Sequence, residues 1–322
     1  MILGYMDRTA QFTLLSLNVR GIRDKTKRKK VFEWCKSKGS DIVLLQETYS
    51  TVDVENRWKL DWDGPMFFSH GSNHSKGVMV LLSSDLKLKI DHITVDDDGR
   101  YVILKGELQG VKLLICNCYF PTRDREKMQL EFLEKLNTSI LKQYEPSQLF
   151  FLGGDFNTIM NGSLDYMGPK NISKTKYNEN FEEFLSRYNL ENIWRKRNPN
   201  KKQFTFRQKW PLIQSRLDYW FVSSNLFNLV SKCDILTSIT PDHSGVLLQI
   251  KNLVDNYSFG KSYWKFNNSL CTDQVFVNTL NDKIIEWKEQ FKDITDKLLF
   301  WDFFENENAT ILYKLLKTKR KA

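Results

Sequence analysis

Short apolar runs alternate with helix-like patterns along the first two thirds of the chain. Residues 12–18 predict a strand that ends on a polar side chain, and residues 41–46, with four consecutive aliphatic residues, suit a strand buried on both faces. Residues 27–38 predict a helix because their apolar positions fall on one face. Further strands are predicted at 77–82, 101–108, 112–119, 149–152, 203–207, 216–222 and 246–250, and further helices at 126–141 and 178–188.

The order of these elements indicates how the sheets are built. Some strands follow one another as hairpins and others are joined through a helix, which predicts an α/β fold of layered sheets covered by helices. After about Leu253 the pattern becomes polar and aromatic, then helical at 273–299 and 301–316. We therefore predict one domain over 1–252 and a C-terminal helical extension over 253–322. The final basic run lacks a helix stop signal, which fits either a fragment of a larger polypeptide or a solvated tail.

Composition narrows the class of protein. Hydrophobic residues make up 41% of the 322, enough for a sizeable core, and no apolar run is long enough to span a membrane. We therefore expect no membrane partner, and the first residues show no secretory signal pattern. The formal net charge of +9 favours a polyanionic partner such as nucleic acid, with a solvated lysine face as the alternative. Five cysteines without zinc-type spacing indicate reduced, mostly buried thiols.

Polar side chains stand where the predicted strands end. Five clusters occupy such positions, and a sixth places the carboxylate of Asp218 inside a strand, where a charge is costly unless it is paired. Because strand ends meet at one rim of a sheet, these residues could share one site. The clusters are Leu-Asn-Val-Arg-Gly at 17–21, Gln-Glu-Thr at 46–48, Asn-Cys-Tyr-Phe-Pro at 117–121, Gly-Gly-Asp-Phe-Asn at 153–157, Ser-Arg-Leu-Asp-Tyr at 215–219 and Pro-Asp-His-Ser at 241–244.

In this order and spacing, the six clusters resemble the exonuclease–endonuclease–phosphatase superfamily, which includes deoxyribonuclease I and the apurinic/apyrimidinic endonucleases. The resemblance runs from about Phe12 to Ile250. It implies a four-layered α/β sandwich, in which two packed mixed sheets are flanked by helices and the site lies at one end of the sheets.

Two segments resemble a narrower branch, the endonuclease domain of LINE-type non-LTR retrotransposon proteins. They are Gly-Gly-Asp-Phe-Asn-Thr at 153–158 and Tyr-Trp-Lys-Phe-Asn-Asn-Ser-Leu at 263–270. The resemblance implies a Mg²⁺-dependent endonuclease, with Mn²⁺ as a substitute, that nicks one strand of double-stranded DNA. The 3′-hydroxyl would prime target-primed reverse transcription by a reverse transcriptase domain of the same polyprotein, absent from this chain. Element RNA is a further expected partner, and we expect action in the nucleus after synthesis in the cytoplasm.

Phosphodiester hydrolysis needs an activated water and neutralisation of charge on the phosphoryl oxygens. Glu47 closes a buried strand and is the first candidate ligand for a hard cation, with an exposed helix-capping glutamate as the alternative. Asp155 is the candidate base for the attacking water, and Asn157 the candidate hydrogen-bond donor to the phosphate. The alternative for this pair is an Asx turn. Gly153 and Gly154 are expected to let the substrate backbone approach closely.

His243 is the candidate cation that stabilises charge developing on phosphorus. The resemblance implies that Asp218 pairs with His243, and that Asp242 lies near the metal or the leaving oxygen. It also places Asn18 beside the metal's carboxylate ligand, so the predicted metal residues are Glu47, Asn18 and Asp242. Tyr119 would contact the scissile phosphate, with an ordinary strand aromatic as the alternative.

Two positions depart from the family pattern. Thr122 stands where many relatives carry an asparagine, which puts its phosphate contact in doubt. Ser215 stands where apurinic endonucleases typically have a tryptophan that walls the abasic-sugar pocket. Ser215 therefore argues against efficient recognition of abasic sites.

DNA-contacting residues are predicted on the segment at 207–215, which lies between two predicted strands and could enter a minor groove as a hairpin. A basic run at 25–30 is a second candidate, with a solvated helix face as its alternative. The full set of predicted contacts is Arg20, Thr122, Arg123, Thr205, Arg207, Lys209 and Trp210.

The leading functional hypothesis is therefore a nicking DNA endonuclease of a retrotransposon. An abasic-site repair endonuclease is the second, disfavoured by Ser215 and by the segment at 263–270. Phosphoesterases acting on inositol phosphates, sphingolipids or poly(A) share the core motifs, but the retrotransposon-like segment does not fit them. A catalytically inactive DNA-binding module does not fit the complete set of acid, base, histidine and asparagine.

Overall fold

The computed structural model describes residues 11–251, apart from 109, 170 and 238, together with residues 274, 277, 278, 281, 282, 285, 286 and 289. Within 11–251 the strands are β1 Gln11–Asn18, β2 Ile42–Gln46, β3 Met66–Ser69, β4 Val78–Leu82, β5 Lys89–Val95, β6 Tyr101–Leu108, β7 Val111–Tyr119, β8 Leu149–Asp155, β9 Tyr166–Met167, β10 Leu190–Asn192, β11 Phe206–Gln208, β12 Ile213–Ser215, β13 Asp218–Ser223, β14 Val230–Ile235 and β15 Val246–Lys251. The α-helices there are α1 Lys25–Ser37, α2 Glu55–Lys59, α3 Glu126–Leu141, α4 Lys176–Arg187 and α5 Ile193–Arg197.

Two six-stranded mixed sheets form the centre of the fold. The first has the order β14-β15-β1-β2-β4-β3, and the second has the order β10-β13-β8-β7-β6-β5. In each sheet one parallel pair, β1–β2 or β7–β8, is flanked by antiparallel neighbours. We call them the β1–β2 sheet and the β7–β8 sheet. A small third sheet joins β11, β12 and β9.

Alternation of side chains along the strands produces three apolar layers. Leu14 and Leu44 of the β1–β2 sheet pack with Leu113 and Trp220 of the β7–β8 sheet between the two sheets. The outer face of the β1–β2 sheet packs against α1, and that of the β7–β8 sheet against α3 and α4. Helix, sheet, sheet and helix therefore form the predicted four-layered α/β sandwich.

Local sequence explains where the long helices begin. The side chain of Asp24 accepts a hydrogen bond from Lys27 N at 2.7 Å and caps α1. Thr175 and Asn178 exchange the two hydrogen bonds of a capping box at the start of α4. Predictions of these helices from apolar periodicity are confirmed within a few residues.

The hydrophobic pattern missed several strands, for two different reasons. β5 is an edge strand whose side chains are exposed or half-buried, so its sequence lacks a buried stripe. β9, β10 and β12 have two or three residues each, too few to show a period. The strand predicted at 203–207 is shorter and later, at Phe206–Gln208.

The chain separates into two units, Met1–Phe259 and Gly260–Ala322, and the sheets lie in the first. The described residues between 274 and 289 are helical, in line with the helix predicted at 273–299. The helix predicted at 301–316 and the segment at 263–270 lie outside the described residues. The boundary at 252/253 stays a prediction. No helix in the described part of the chain is both long and apolar enough to cross a membrane.

Candidate active site

The ends of the two parallel strand pairs bring the predicted clusters to one rim. Asn18 pairs with Gln46 at the ends of β1 and β2. Tyr119 pairs with Asp155 at the ends of β7 and β8, and Asp155 pairs on its other side with Asp218 of β13. Because these register positions lie at corresponding edges of packed sheets, residues far apart in sequence become neighbours.

Backbone conformations at this rim are unusual. Arg20, Glu47, Tyr49 and Asn157 have φ values of 45°, 52°, 58° and 47°, in the left-handed region that side chains other than glycine rarely adopt. Such conformations persist where the surrounding structure holds them, and they cluster at functional sites. The rim is therefore built to a defined geometry at the cost of local strain.

Asn18 joins the two sheets at the site. Its Nδ2 donates to Glu47 Oε1 at 2.8 Å and to Asp155 Oδ2 at 2.9 Å. Its Oδ1 accepts Arg20 N at 3.0 Å. The buried Asn18 amide thus lies beside Glu47, as expected, and fixes the separation of two acids contributed by different sheets.

Both oxygens of Glu47 accept a hydrogen bond. Asn18 donates to Oε1, and the Tyr49 hydroxyl donates to Oε2 at 3.1 Å. Burial, followed by the negative charge of Glu47, raises the pKa of Tyr49 to about 12, so its hydroxyl stays protonated near neutral pH and remains a donor. The half-buried Glu47 carboxylate is therefore fixed in orientation while its remaining lone pairs stay available.

Asp155 is a buried acid with a raised pKa. Its Oδ1 accepts Asn157 N at 2.9 Å, which is an Asx turn, and its Oδ2 accepts the Asn18 amide. Burial and the nearby charge of Asp218 raise the pKa of Asp155 to about 7. The Asx turn and the candidate base are thus the same structure, and a pKa near neutrality suits proton transfer.

His243 lies against two acids. Its Nδ1 is 3.1 Å from Asp218 Oδ2, and its Nε2 is 3.9 Å from Asp155 Oδ2. Burial acts to lower the pKa of His243, but the charge and hydrogen bond of Asp218 outweigh it and raise the pKa to about 9. His243 is therefore cationic at neutral pH, and the Asp218–His243 pairing expected from the resemblance is present.

Tyr119 and Asn157 lie on the β7–β8 side of the site. Burial, and next the charge of Glu47, raises the pKa of Tyr119, which keeps its hydroxyl protonated. The Arg100 guanidinium lies 5.5 Å from the centroid of the Tyr119 ring. Asn157 Nδ2 donates to the Phe120 carbonyl at 2.9 Å, so its amide already has a protein partner.

Asp242 is a buried carboxylate paired with an arginine. Its Oδ2 accepts a short hydrogen bond from the Arg20 guanidinium. Its Oδ1 is buried and accepts no hydrogen bond from any residue that the structure describes. The carboxylate therefore keeps bonding capacity that Arg20 does not use.

Residues 15–240 match the endonuclease/exonuclease/phosphatase family. The chain belongs to this family. The match covers most of both sheets and every predicted cluster except the last, at 241–244. The resemblance drawn from the six clusters is confirmed.

A transposon protein is similar to most of this chain. The chain is 27% identical over 295 residues to the "Transposon TX1 uncharacterized 149 kDa protein" of Xenopus laevis, covering 90% of this chain and 22% of that protein. It therefore spans about a fifth of the length of that relative. The resemblance to transposon proteins is thus also supported by a second, independent comparison.

Solved structures share the fold. An AP endonuclease from Leishmania major superposes with a TM-score of 0.60 at 19% identity, covering 76% of this chain and 89% of that one. The catalytic domain of APE2 from Xenopus laevis gives 0.59 at 18% identity, covering 74% and 93%. An AP endonuclease from Archaeoglobus fulgidus gives 0.56 at 20% identity, covering 74% and 98%.

Two places in the described part of the site could hold a metal ion, one group of three residues and the single carboxylate of Glu47. Ligand atoms of Asp155, Asp218 and His243 lie within 4.8 Å of one another. However, all three side chains are buried and His243 is already protonated against the acids, which leaves little room for the waters that Mg²⁺ retains. Glu47 is half-buried and its oriented oxygens suit a hard cation, so its side of the rim fits the ion better.

Gly153 and Gly154, which precede Asp155 on β8, are needed for packing inside the protein rather than for contact with the substrate. A Cβ at Gly153 would lie 2.6 Å from the Trp220 ring, and one at Gly154 would lie 1.9 Å from the Cys118 carbonyl oxygen. The expectation that they admit the substrate backbone is wrong. They allow β8 to pack closely against its neighbours immediately before Asp155.

A hairpin is present where a DNA-contacting segment was predicted. β11 and β12 pair antiparallel, and Lys209 and Trp210 lie at their exposed turn, with Trp210 89% exposed. At its base Arg207 NH1 donates to Ser244 Oγ at 2.8 Å, which ties the hairpin to the loop that carries His243.

The remaining predicted contacts differ in position. Thr122 is exposed, and Arg123 lies half-buried with its guanidinium donating to the Ser173 carbonyl. Thr205 is 0% exposed and its hydroxyl accepts Leu217 N at 3.0 Å and Asp218 N at 3.1 Å. DNA contact through Thr205 is incompatible with this burial, and the residue instead positions the strand of Asp218.

Sequence reasoning missed three supporting features. Tyr49 orients Glu47, and Lys27 Nζ donates to the Arg20 carbonyl at 2.8 Å. Behind the rim, Gln46 Nε2 donates to Asn117 Oδ1 at 2.7 Å and links the sheets. Gln46 and Asn117 stood in the quoted clusters, so a polar residue beside each candidate was the available signal. Nothing local marked Tyr49, and Lys27 was noted only as part of the basic run at 25–30.

Proposed function

We propose that this chain is a divalent-metal-dependent endonuclease that nicks one strand of double-stranded DNA. The observation that carries the proposal is the convergence of Glu47, Asp155 and His243 at one rim, with an oriented carboxylate, a base near neutral pKa and a buried cation. These are the three functions that phosphodiester hydrolysis requires.

The geometry supports a division of roles. Asp155 accepts a proton from the attacking water, and its pKa of about 7 makes it available near neutral pH. Protonated His243 stabilises negative charge on the phosphoryl oxygens, and Asp218 holds its ring. Tyr119, protonated, donates to the phosphate. Mg²⁺ held on the Glu47 side, with Mn²⁺ as a substitute, would supply Lewis-acid neutralisation of charge on the substrate.

A role in retrotransposition is favoured by the likeness to a transposon protein of which this chain covers 22%. The nick would leave a 3′-hydroxyl that primes reverse transcription by another part of such a polyprotein, on element RNA. The target would then be chromosomal DNA in the nucleus.

The second candidate is an abasic-site repair endonuclease, because the fold is that of AP endonucleases. Ser215 is buried in β12 and its small side chain offers no aromatic wall for an extruded sugar. The substrate in this alternative is damaged DNA rather than an intact duplex.

One experiment separates the two candidates. Purified protein is incubated with intact supercoiled plasmid and with a duplex carrying one abasic site, each with Mg²⁺ and with EDTA. We expect metal-dependent nicking of the intact plasmid, and ends that a DNA polymerase extends without further processing. If the protein cut only the abasic duplex, abasic-site repair would replace nicking of intact DNA as the proposed function. Ends that a polymerase cannot extend would exclude a priming role.

The exposed hairpin gives a test of DNA binding that does not depend on chemistry. Lys209 is exposed at its turn, and a phosphate contact there would release about one counterion. Lys209→Ala should therefore reduce the slope of log affinity against log salt by about one unit, measured by fluorescence anisotropy. The matched control is Lys89→Ala on the edge strand β5, which should leave the slope unchanged. Equal slopes for Lys209→Ala and wild type would place the hairpin outside the DNA interface.

A further inference from the structure

The guanidinium of Arg20 lies close to the carboxylates of Asp242 and Glu47. It forms an ion pair with Asp242 Oδ2. The hydrogen bond to Asp242 and the charge of Asp242 raise the pKa of Arg20 most, and the charge of Glu47 raises it further. A permanent cation therefore lies within electrostatic reach of two of the residues predicted to hold metal.

The backbone fixes this placement. Arg20 adopts a φ of 45°, with its N–H donating to Asn18 Oδ1 at 3.0 Å and its carbonyl accepting Lys27 Nζ at 2.8 Å. The residue is thus held on both sides by neighbours of the site. A loop arginine placed by chance would have no such constraint.

Asp242 needs a positive partner. It is buried, and a buried carboxylate without a nearby cation is strongly disfavoured. Arg20 supplies the cation on Oδ2, whereas the buried Oδ1 has no donor among the described residues. Without Arg20, Asp242 would present two unpaired oxygens a short distance from the rim, a donor set that suits a divalent cation.

We propose that Arg20 takes the place of a second divalent cation at Asp242, so that the site binds one ion, on the Glu47 side. Its side chain is 62% exposed despite the ion pair, so further N–H donors face solvent and can bind a substrate phosphate. The chain thereby keeps a fixed positive charge at this position whatever the metal concentration. In this proposal Asp242, which the sequence predicted as a metal ligand, instead holds the Arg20 guanidinium in place through their ion pair.

This inference rests on the proposed function only in taking a divalent cation as the bound ion. It is tested by counting ions on the protein without DNA. Mn²⁺ is titrated into metal-free protein, free Mn²⁺ is followed by electron paramagnetic resonance, and the stoichiometry is checked by calorimetry. We expect one ion for wild type and two for Arg20→Ala.

Three variants define where the second ion binds. Arg20→Ala with Asp242→Asn should return to one ion, because it removes the carboxylate that the loss of Arg20 leaves unpaired. Arg20→Lys should keep one ion, since the charge is retained. Lys25→Met removes an exposed charge at the start of α1 but leaves the Arg20–Asp242 pair and the Lys27 contact in place, and it should also bind one ion. Arg20→Gln replaces Arg20→Ala if circular dichroism shows that the alanine variant does not fold.

Several results would overturn the proposal. They are two ions on wild type, one ion on folded Arg20→Ala and Arg20→Gln, or a second ion on Lys25→Met equal to that on Arg20→Ala. The last result would mean that net charge, rather than occupancy at Asp242, controls binding. Plasmid nicking is measured separately, so a chain that does not nick but shows these stoichiometries would refute the proposed function and leave this inference standing.

Discussion

The β1–β2 sheet and the β7–β8 sheet have the same plan but contribute different chemistry. Each is six-stranded with one central parallel pair. In the β1–β2 sheet, Glu47 and Arg20 lie on loops that follow strands, they are half-buried and exposed, respectively, and both have left-handed backbone conformations. The β7–β8 sheet delivers Asp155 and Asp218 inside strands, fully buried and in register.

This difference separates two electrostatic environments within one site. A hydrated cation requires an open edge, and Glu47 lies at one. Proton transfer near neutral pH requires an acid whose pKa is raised by burial, and Asp155 provides it. His243 comes from the loop before β15 of the β1–β2 sheet yet pairs with Asp218 of the other sheet, so it joins the two environments. Its position therefore depends on how the sheets pack.

The largest effect should come from the buried side of the site. Asp155→Asn removes the candidate base while keeping its shape, and it should lower the nicking rate by between about a hundredfold and ten-thousandfold, the range for general-base catalysis. Raising Mg²⁺ should not restore the rate. Single-turnover nicking of plasmid measures this, with Asp91→Asn on the exposed edge strand β5 as the matched control. A near-normal rate for Asp155→Asn would show that Asp155, on the β7–β8 sheet, is not the general base.

At the solvent edge, Glu47→Gln should behave differently. It should lower nicking by about a hundredfold at a fixed low Mg²⁺ concentration, because a charged ligand is lost, and higher Mg²⁺ or Mn²⁺ should recover part of the rate. The measurement is the nicking rate against metal concentration for both variants side by side. If Glu47→Gln and Asp155→Asn respond alike to metal, the proposed separation of environments fails.

A smaller effect is expected from Tyr49, which acts through Glu47. Tyr49→Phe removes the hydrogen bond to Oε2 at 3.1 Å and should weaken metal binding by about tenfold, the lower range for residues that orient metal ligands. The maximal rate at saturating metal should change little. Calorimetric titration with Mg²⁺ measures the metal affinity, and the nicking rate at saturating metal measures the maximal rate, so the two effects are distinguished. A fall in maximal rate with unchanged affinity would instead place Tyr49 in contact with the substrate.

The smallest effect should be the change of rate across mildly alkaline pH. Asp155 must lose its proton to act, so the rate should rise as pH increases through about 7. His243 must keep its proton, so the rate should fall as pH increases through about 9. Between these values the profile should be nearly flat in single-turnover assays. A rate that keeps rising beyond pH 10 would show that protonated His243 is not required.

The motifs and the family resemblance predicted the candidates and some of their partners, such as Asp218 for His243. Asp155, Glu47 and His243 were found because each follows or lies within a recognisable strand end. The role of Tyr49 and the contact of Lys27 with Arg20 were missed because they depend on hydrogen bonds to Glu47 and to the Arg20 carbonyl, which no local pattern encodes. Thr205 was predicted to contact DNA, whereas its hydroxyl turns inward and accepts Asp218 N.

By itself, the sequence determined the layered α/β architecture, the family and the acidic, amide and imidazole groups of the site. The architecture follows from apolar periodicity, and the family and the site groups follow from the six motifs and their resemblance to known families. Only the tertiary structure decided that Asn18 spans two sheets, that Gly153 serves packing and that Asp242 belongs to Arg20. The physical reason is that burial, charge pairing and pKa depend on which surfaces meet across the sandwich, and such distances are set by packing between residues far apart in the chain.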